Sequence, residues 1–343
     1  MKIVVTGASG NVGTAVLRAL READDVTEVV GLARRIPRRT PGPPYDVATW
    51  HSVDLGASDA AKVSDALARA MDGADAVIHL AWAIQPNHDR ARLRRTNVLG
   101  SSRVLAAARA ARVDHVVVAS SVGAYSPCHD DALHDESWPT KGIPTSEYSV
   151  DKADLETLLD EHETNHPEVL ITRLRPALIF QRDAGSEIMR YFFGPWVPAS
   201  ALSGHLPAIA WPRGTRIQAL HADDVAQAYL AAVRLRPGGA FNVAADDVLG
   251  GTEIAGLLSG GRFKETPAPA LRAAISAAWN TRVVPVSPGW LDMAASVALM
   301  SSDKARAHLG WQPRYSALET VAEVLDGMVD GAGTESAPLR ASH

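Results

Sequence analysis

The chain has 343 residues, 46% hydrophobic and 21% charged, with a net charge of −5 and its acidic and basic residues interspersed; this suits a globular chain with a sizeable core and excludes the basic footprint of a nucleic-acid binder. A single cysteine, Cys128, excludes an internal disulfide, and the twelve histidines form no Cys/His cluster of zinc spacing, so no metal is expected. Met1-Lys2 leads straight into an apolar strand with no signal-type region, and no apolar run reaches membrane-span length, which predicts a cytoplasmic protein without a membrane partner.

Ile3-Val4-Val5-Thr6 predicts a first strand, Gly7-Ala8-Ser9-Gly10-Asn11-Val12-Gly13 a glycine turn, and residues 11–22 a helix. That succession is a dinucleotide-binding start. Gly7 permits the sharp turn, Gly10 lets backbone approach a pyrophosphate, Gly13 lets helix and strand pack closely, and the helix N-terminus offers free N–H donors to phosphate. Further short β-branched runs at 28–32, 50–54, 76–80, 113–120 and 169–174 alternate with helical patterns at 57–71, 89–111 and 147–165. The alternation predicts an α/β, doubly wound parallel sheet of Rossmann type.

From Pro176 the character changes, with Pro, Gly and Trp concentrated between residues 185 and 214, followed by a helix at 223–236 and a strand at 240–244. Residues 252–328 are mostly helical by pattern, and 331–343 lack periodicity and read as a disordered tail. The expected organisation is a dinucleotide-binding domain over 1–175, with 216–246 returning to it, and a smaller substrate-binding region over 176–215 and 247–330.

The second strand ends Gly31-Leu32-Ala33-Arg34-Arg35. Ala33 stands near where an acid would hold the adenosine ribose hydroxyls, and the guanidinium groups of Arg34 and Arg35 suit a 2′-phosphate, which favours NADP over NAD. The bland alternative is a solvated loop of Arg34, Arg35, Arg38 and Arg39. Further on, Tyr148 and Lys152 share one helix face at i, i+4 spacing, so an ammonium beside a phenol is expected to lower the phenol's pKa for acid–base work. Val116-Val117-Val118-Ala119 delivers Ser120-Ser121 at a strand's carboxyl end, where ligands sit in open α/β sheets.

With these motifs in order, together with Asp54-Leu55, His79-Leu80-Ala81, Thr96-Asn97-Val98, Arg175-Pro176, His221-Ala222-Asp223-Asp224, Phe241-Asn242-Val243 and Leu309-Gly310-Trp311-Gln312-Pro313, the sequence resembles the extended short-chain dehydrogenase/reductase family, which includes NAD-dependent epimerases and dehydratases. The resemblance implies that Tyr148 is the general acid/base, that Lys152 binds the nicotinamide ribose and tunes Tyr148, and that Ser121 positions the reacting oxygen. It implies a cofactor site built from Gly7, Ser9, Gly10, Asn11, Val12, Gly13, Arg34 and Arg35, with Asp54 and Leu55 at the adenine. Leu80, Ala81, Trp82, Ala119, Pro176 and Ala177 would line the cofactor's path, and Asn97 would support the active-site helix or a water link to Lys152. Asp151, where relatives carry a small or neutral residue, is expected to point away from Lys152 without loss of function.

Dehydratases of the family carry an Asp-Glu pair after the Ser/Thr position, whereas this chain has Val122-Gly123. The positions that hold a diphosphate in nucleotide-sugar epimerases correspond to Leu178 and Ile217, with Arg216 adjacent. Apolar replacements point to a less charged substrate, and Tyr191-Phe192-Phe193-Gly194-Pro195-Trp196 with Trp82, Trp138 and Trp211 could line its pocket. The expectation is an NADP-dependent, or NAD-dependent, oxidoreductase of a small-molecule ketone or secondary alcohol. The alternatives are a nucleotide-sugar epimerase that recycles its cofactor and a non-catalytic NADP-sensing regulator. A homodimer through the helix before the fifth strand, with its Ala106-Ala107-Ala108 and Ala110-Ala111 face, and the Tyr/Lys helix is expected. His79 reads as a packed histidine and His221 as an anchor for a helix capped by Asp223 and Asp224.

Overall fold

The computed structural model describes residues 1–37, 41–84, 88–194 and 197–341, so Arg38, Arg39, Pro195 and Trp196 lie outside the described residues. The chain opens with β1 (Lys2–Thr6), α1 (Asn11–Arg21), β2 (Glu28–Ala33), β3 (Ala48–Ser52), α2 (Ala60–Met71) and β4 (Ala76–His79). The region expected as one helix at 89–111 is α3 (Arg90–Arg94), a π turn at Arg95–Leu99 and α4 (Gly100–Ala110). Then come β5 (His115–Ala119), β6 (Leu133–His134), α5 (Glu147–Asn165), β7 (Leu170–Pro176), β8 (Leu178–Phe180), α6 (Gly185–Ile188), β9 (Ile209–Pro212), β10 (Ala219–His221), α7 (Ala222–Leu235) and β11 (Gly239–Val243). The rest is α8 (Gly251–Ser259), β12 (Phe263–Thr266), α9 (Ala268–Asn280), α10 (Pro288–Ala294), β13 (Leu299–Met300), α11 (Asp303–Leu309) and α12 (Ala317–Val329).

Seven strands form one parallel sheet in the order β3-β2-β1-β4-β5-β7-β11. Alternate residues of a strand face opposite sides, so Ile3 and Val5 join α1 and α7 in one core layer while Val4 joins α2, α4 and α5 in the other. Burial on both faces is why β1 reads as an unbroken apolar run. The strand order reverses at β1, which opens a crevice between the carboxyl ends of β1 and β4. Three two-stranded parallel ladders, β8 with β10, β9 with β12 and β6 with β13, build the smaller region beside the largely helical C-terminal part. No helix among the described residues is long and apolar enough to cross a membrane.

The tail departs from the disorder expected of it. Ser336 Oγ donates to Ser9 O at 2.5 Å, Thr334 Oγ1 lies 2.7 Å from Tyr45 Oη, Glu335 Oε1 accepts from Gly42 N–H, and Leu339 is fully buried. Backbone and small polar contacts hold this segment, so it needs no hydrophobic periodicity. Residues 342 and 343 lie outside the described residues.

Candidate active site

The glycine turn brings bare backbone together. Gly7 has φ +73°, and a Cβ there would sit 2.7 Å from Ala81 N, so the loops after β1 and β4 touch as only glycine allows. A Cβ on Gly13 would collide with Gly7 O. Gly10 caps α1 in extended backbone, no side chain accepts from the first-turn amides, and no acidic residue stands in that turn. Those N–H groups and the helix dipole make an anion-ready end. Asn11, expected at the cofactor, spends its side chain on protein: Nδ2 donates to Ile179 O, and Gln181 Nε2 donates to Asn11 Oδ1 at 2.6 Å.

One crevice with a cavity volume of about 370 Å³ is lined by Ser121, Tyr148, Lys152 and all the expected cofactor residues except Asn97. The buried side chain of Asn97 is tied instead to the loop after β4 and to α5, the helix it is expected to support. Its Oδ1 accepts from Ala83 N–H at 2.7 Å, and Nδ2 donates to Ala83 O and to Asp151 Oδ2. The π turn carries this residue, tying the loop after β4 to α5. At the β2 end, Arg34 and Arg35 line a second, polar pocket together with Arg190, Tyr191 and Pro338. Arg190 donates to Pro338 O and Arg340 O, which joins this pocket to the tail.

Ser121 follows β5 and is 6% exposed; its Oγ accepts from Gly123 N–H at 3.0 Å. Tyr148 lies in the first turn of α5, half-buried, and Lys152 one turn on is 2% exposed. Burial pushes the Tyr148 phenol up to about 12, with a hydrogen bond from Ser121 pulling the other way. Burial pushes the Lys152 ammonium down to about 7 against the pull of Glu156 and Asp151. The expected lowering of the Tyr148 pKa by Lys152 is therefore absent here. The ammonium lies 5.9 Å from the phenol ring centroid, donates to Ala119 O, and cannot offset the phenol's desolvation.

Beneath this face lies a buried ionic network. Glu156 accepts from Ser120 Oγ, from Arg175 Nε and Nη2, and from Arg173 Nη1, and its carboxyl is held down at about 2, burial being outweighed by Arg175, Ser120 and Arg173. Arg175 also donates to Tyr125 Oη, whose hydroxyl donates to Asn242 Oδ1 at 2.6 Å. The network locks the end of β5, α5, β7 and β11 together. Asp151 does point away from Lys152, but into a role of its own: it is 1% exposed and takes both nitrogens of Arg90 at 2.6 Å.

His79 is buried between Thr6 Oγ1 at 2.6 Å and Ser101 Oγ at 2.9 Å, and burial pushes its pKa down to about 3. His221 itself caps α7 by accepting from Asp223 N–H, so the cap is not a carboxylate. Asp224 instead accepts from the amides of Arg314 and Tyr315, Asp223 binds Arg18, and Trp311 Nε1 donates to Asp224 O.

Of the aromatics expected at the pocket, Trp82, Tyr191 and Phe192 line the crevice. Phe193 packs with Leu202 and Val324, Trp138 Nε1 donates to Ser126 O, and Trp211 Nε1 donates to Thr215 O. The wall at the phenol comes from elsewhere: Trp290 of α10 has its ring centroid 5.0 Å from that of Tyr148 and 5.2 Å from that of Phe192, with Met293 beside it. Glu187, 8% exposed, also lines the crevice, and burial pushes its carboxyl up to about 7. Arg216 does not line it; it pairs with Asp131 at 2.6 Å.

The model of the NAD dependent epimerase/dehydratase family matches residues 3–244. An uncharacterized protein of Mycobacterium tuberculosis is 26% identical over 74% of this chain, which spans 65% of that relative's length, just under two thirds. The NAD-dependent glucose-6-phosphate dehydrogenase of Haloferax volcanii is 30% identical over 55% of this chain and 72% of its own. Among solved structures, the UDP-glucose 4-epimerase of Thermus thermophilus, in complex with NAD, superposes with a TM-score of 0.70 over 96% of this chain and 99% of its own, at 21% identity.

Proposed function

Because the chain belongs to the NAD dependent epimerase/dehydratase family, we propose that it is an NAD(P)-dependent oxidoreductase that moves a hydride between nicotinamide and a ketone or secondary alcohol, with Tyr148 as acid and base. The observation that carries this reading is that Ser121, Tyr148 and Lys152 line one crevice together with the apolar side chains of Trp290, Phe192 and Met293. The residues fit a dinucleotide: the turn at Gly7 leaves no room for a Cβ, the α1 amides are uncapped, and Trp82 Nε1 is buried on the crevice wall without a partner among the described residues. When bound, the cofactor supplies or accepts the hydride. The Tyr148 phenol, neutral near pH 7, gives its proton to a carbonyl oxygen, and the Ser121 hydroxyl holds that oxygen in place. Lys152 orients the cofactor ribose.

Arg34 and Arg35, with Arg190 in the same second pocket, favour NADP. Lys152, Arg34 and Arg35 are the cations lining the crevice among the described residues, and Arg216 is engaged elsewhere, which supports a substrate without a diphosphate. The Haloferax relative, a dehydrogenase by name, favours net exchange of hydride over internal recycling. The same reading includes a cytoplasmic homodimer through α4 and α5, with Ala106 and Ala110 exposed while Ala107 and Ala108 are spent on the chain's own core.

The test is nicotinamide absorbance on the purified protein, with NADPH or NADH against ketones, aldehydes and nucleotide keto-sugars. Net oxidation of NADPH by a carbonyl is expected, with Arg34→Ala/Arg35→Ala weakening NADPH but not NADH. Cofactor that co-purifies and never turns over would favour the epimerase instead.

A further inference from the structure

α7 packs against α1 on one side and against β5, β7 and β8 on the other, so it runs beneath the strand ends that carry Ser121 and the Pro176 turn. Its Tyr229 is fully buried in the α1–α7 core layer, and yet its hydroxyl has no hydrogen-bond partner among the described residues. A phenol left unsatisfied in such a core is costly, and phenylalanine would fill the same space without that penalty. The position differs from an ordinary core site in one respect: Tyr229 also lines the crevice, together with Ala119, Pro176 and Ala177. Tyr148 is near enough that its ionisation would oppose that of Tyr229.

In the proposed reaction the hydride reaches a carbonyl carbon as Tyr148 protonates the carbonyl oxygen, so the nicotinamide ring must sit at the Tyr148 end of the crevice. The carboxamide is the hydrogen-bonding substituent that ring carries. We propose that Tyr229 is a further cofactor-binding residue, its hydroxyl donating to the carboxamide oxygen of the nicotinamide and so fixing which face of the ring meets the substrate. This rests on the crevice being a nicotinamide cofactor site.

The experiment titrates the full-length protein and its Tyr229→Phe variant with NADPH and with 2′-phospho-ADP-ribose, which lacks the nicotinamide, and follows thermal unfolding without ligand. Loss of one hydrogen bond predicts roughly 5-fold weaker NADPH binding, unchanged affinity for the fragment, and an unfolding temperature no lower than that of the wild type. Unchanged NADPH affinity would overturn the assignment, as would equal weakening of both ligands, which would mark general damage to the site. If the wild type bound neither ligand, the cofactor reading would fail before Tyr229 came into question.

Discussion

The ammonium of Lys152 lies 3.6 Å from the centroid of the Trp82 ring, whose plane stands at 77° to that of Tyr148. A buried cation is thus held over an aromatic face and against Ala119 O at 2.7 Å, two interactions that partly offset its desolvation. Trp82 couples the loop after β4 to α5.

The lysine's lowered pKa has a signed consequence. Below about pH 7 it is charged in both folded and unfolded chains, and the penalty for burying it is fully present. As pH rises from about 7 towards the ordinary lysine value, the folded protein releases the proton while the unfolded chain retains it, so this group makes the fold more stable with rising pH. Lys152→Met removes that dependence. Thermal unfolding between about pH 6 and pH 10 should show the wild type gaining on the variant across the range, and a constant difference would contradict the assignment.

Glu156 acts in the same sense at lower pH, but as a favourable contribution rather than a relieved penalty. Its carboxyl is held at about 2, so the stability it contributes is present above the ordinary carboxylate range and is lost as pH falls through that range towards about 2. Glu156→Gln leaves Arg173 and Arg175 short of their buried counter-charge, for an expected loss of about 3–5 kcal/mol. Urea denaturation at neutral pH measures it, and a loss below about 1 kcal/mol, the range of surface pairs, would show that the network is dispensable.

Gly123 stands where a Cβ would meet Tyr148 Cε1 at 2.9 Å and Met293 Sδ at 3.1 Å. Gly123→Ala should therefore displace the phenol and lower kcat by an order of magnitude or more while leaving cofactor affinity unchanged. Equal kcat in the variant would mean that the ring tolerates the shift.

The first strand and its turn are legible because β1 is buried on both faces and because Gly7 and Gly13 answer to local geometry. Ser121, Tyr148 and Lys152 are legible because each sits at a strand or helix end that pattern alone predicts. Trp290, Met293 and Tyr229 are not: they reach the crevice from α10 and α7 through tertiary packing, and nothing in their neighbours' spacing marks them. The π turn at Arg95–Leu99 has an ordinary helical composition, so spacing does not mark it, and Asn97 stands out only through the family resemblance. Asp151 is expected only to point away from Lys152; its pairing with Arg90 comes from the fold.

The most direct measurement of the central claim is a single-turnover mix of protein, NADPH and an accepted carbonyl, comparing the wild type with Tyr148→Phe at matched cofactor occupancy. The account predicts stoichiometric loss of nicotinamide absorbance in the wild type and a rate reduced by about 10²-fold or more in the variant, with NADPH still bound. Equal rates in the two proteins would contradict it, because the proton would then reach the substrate oxygen without the phenol.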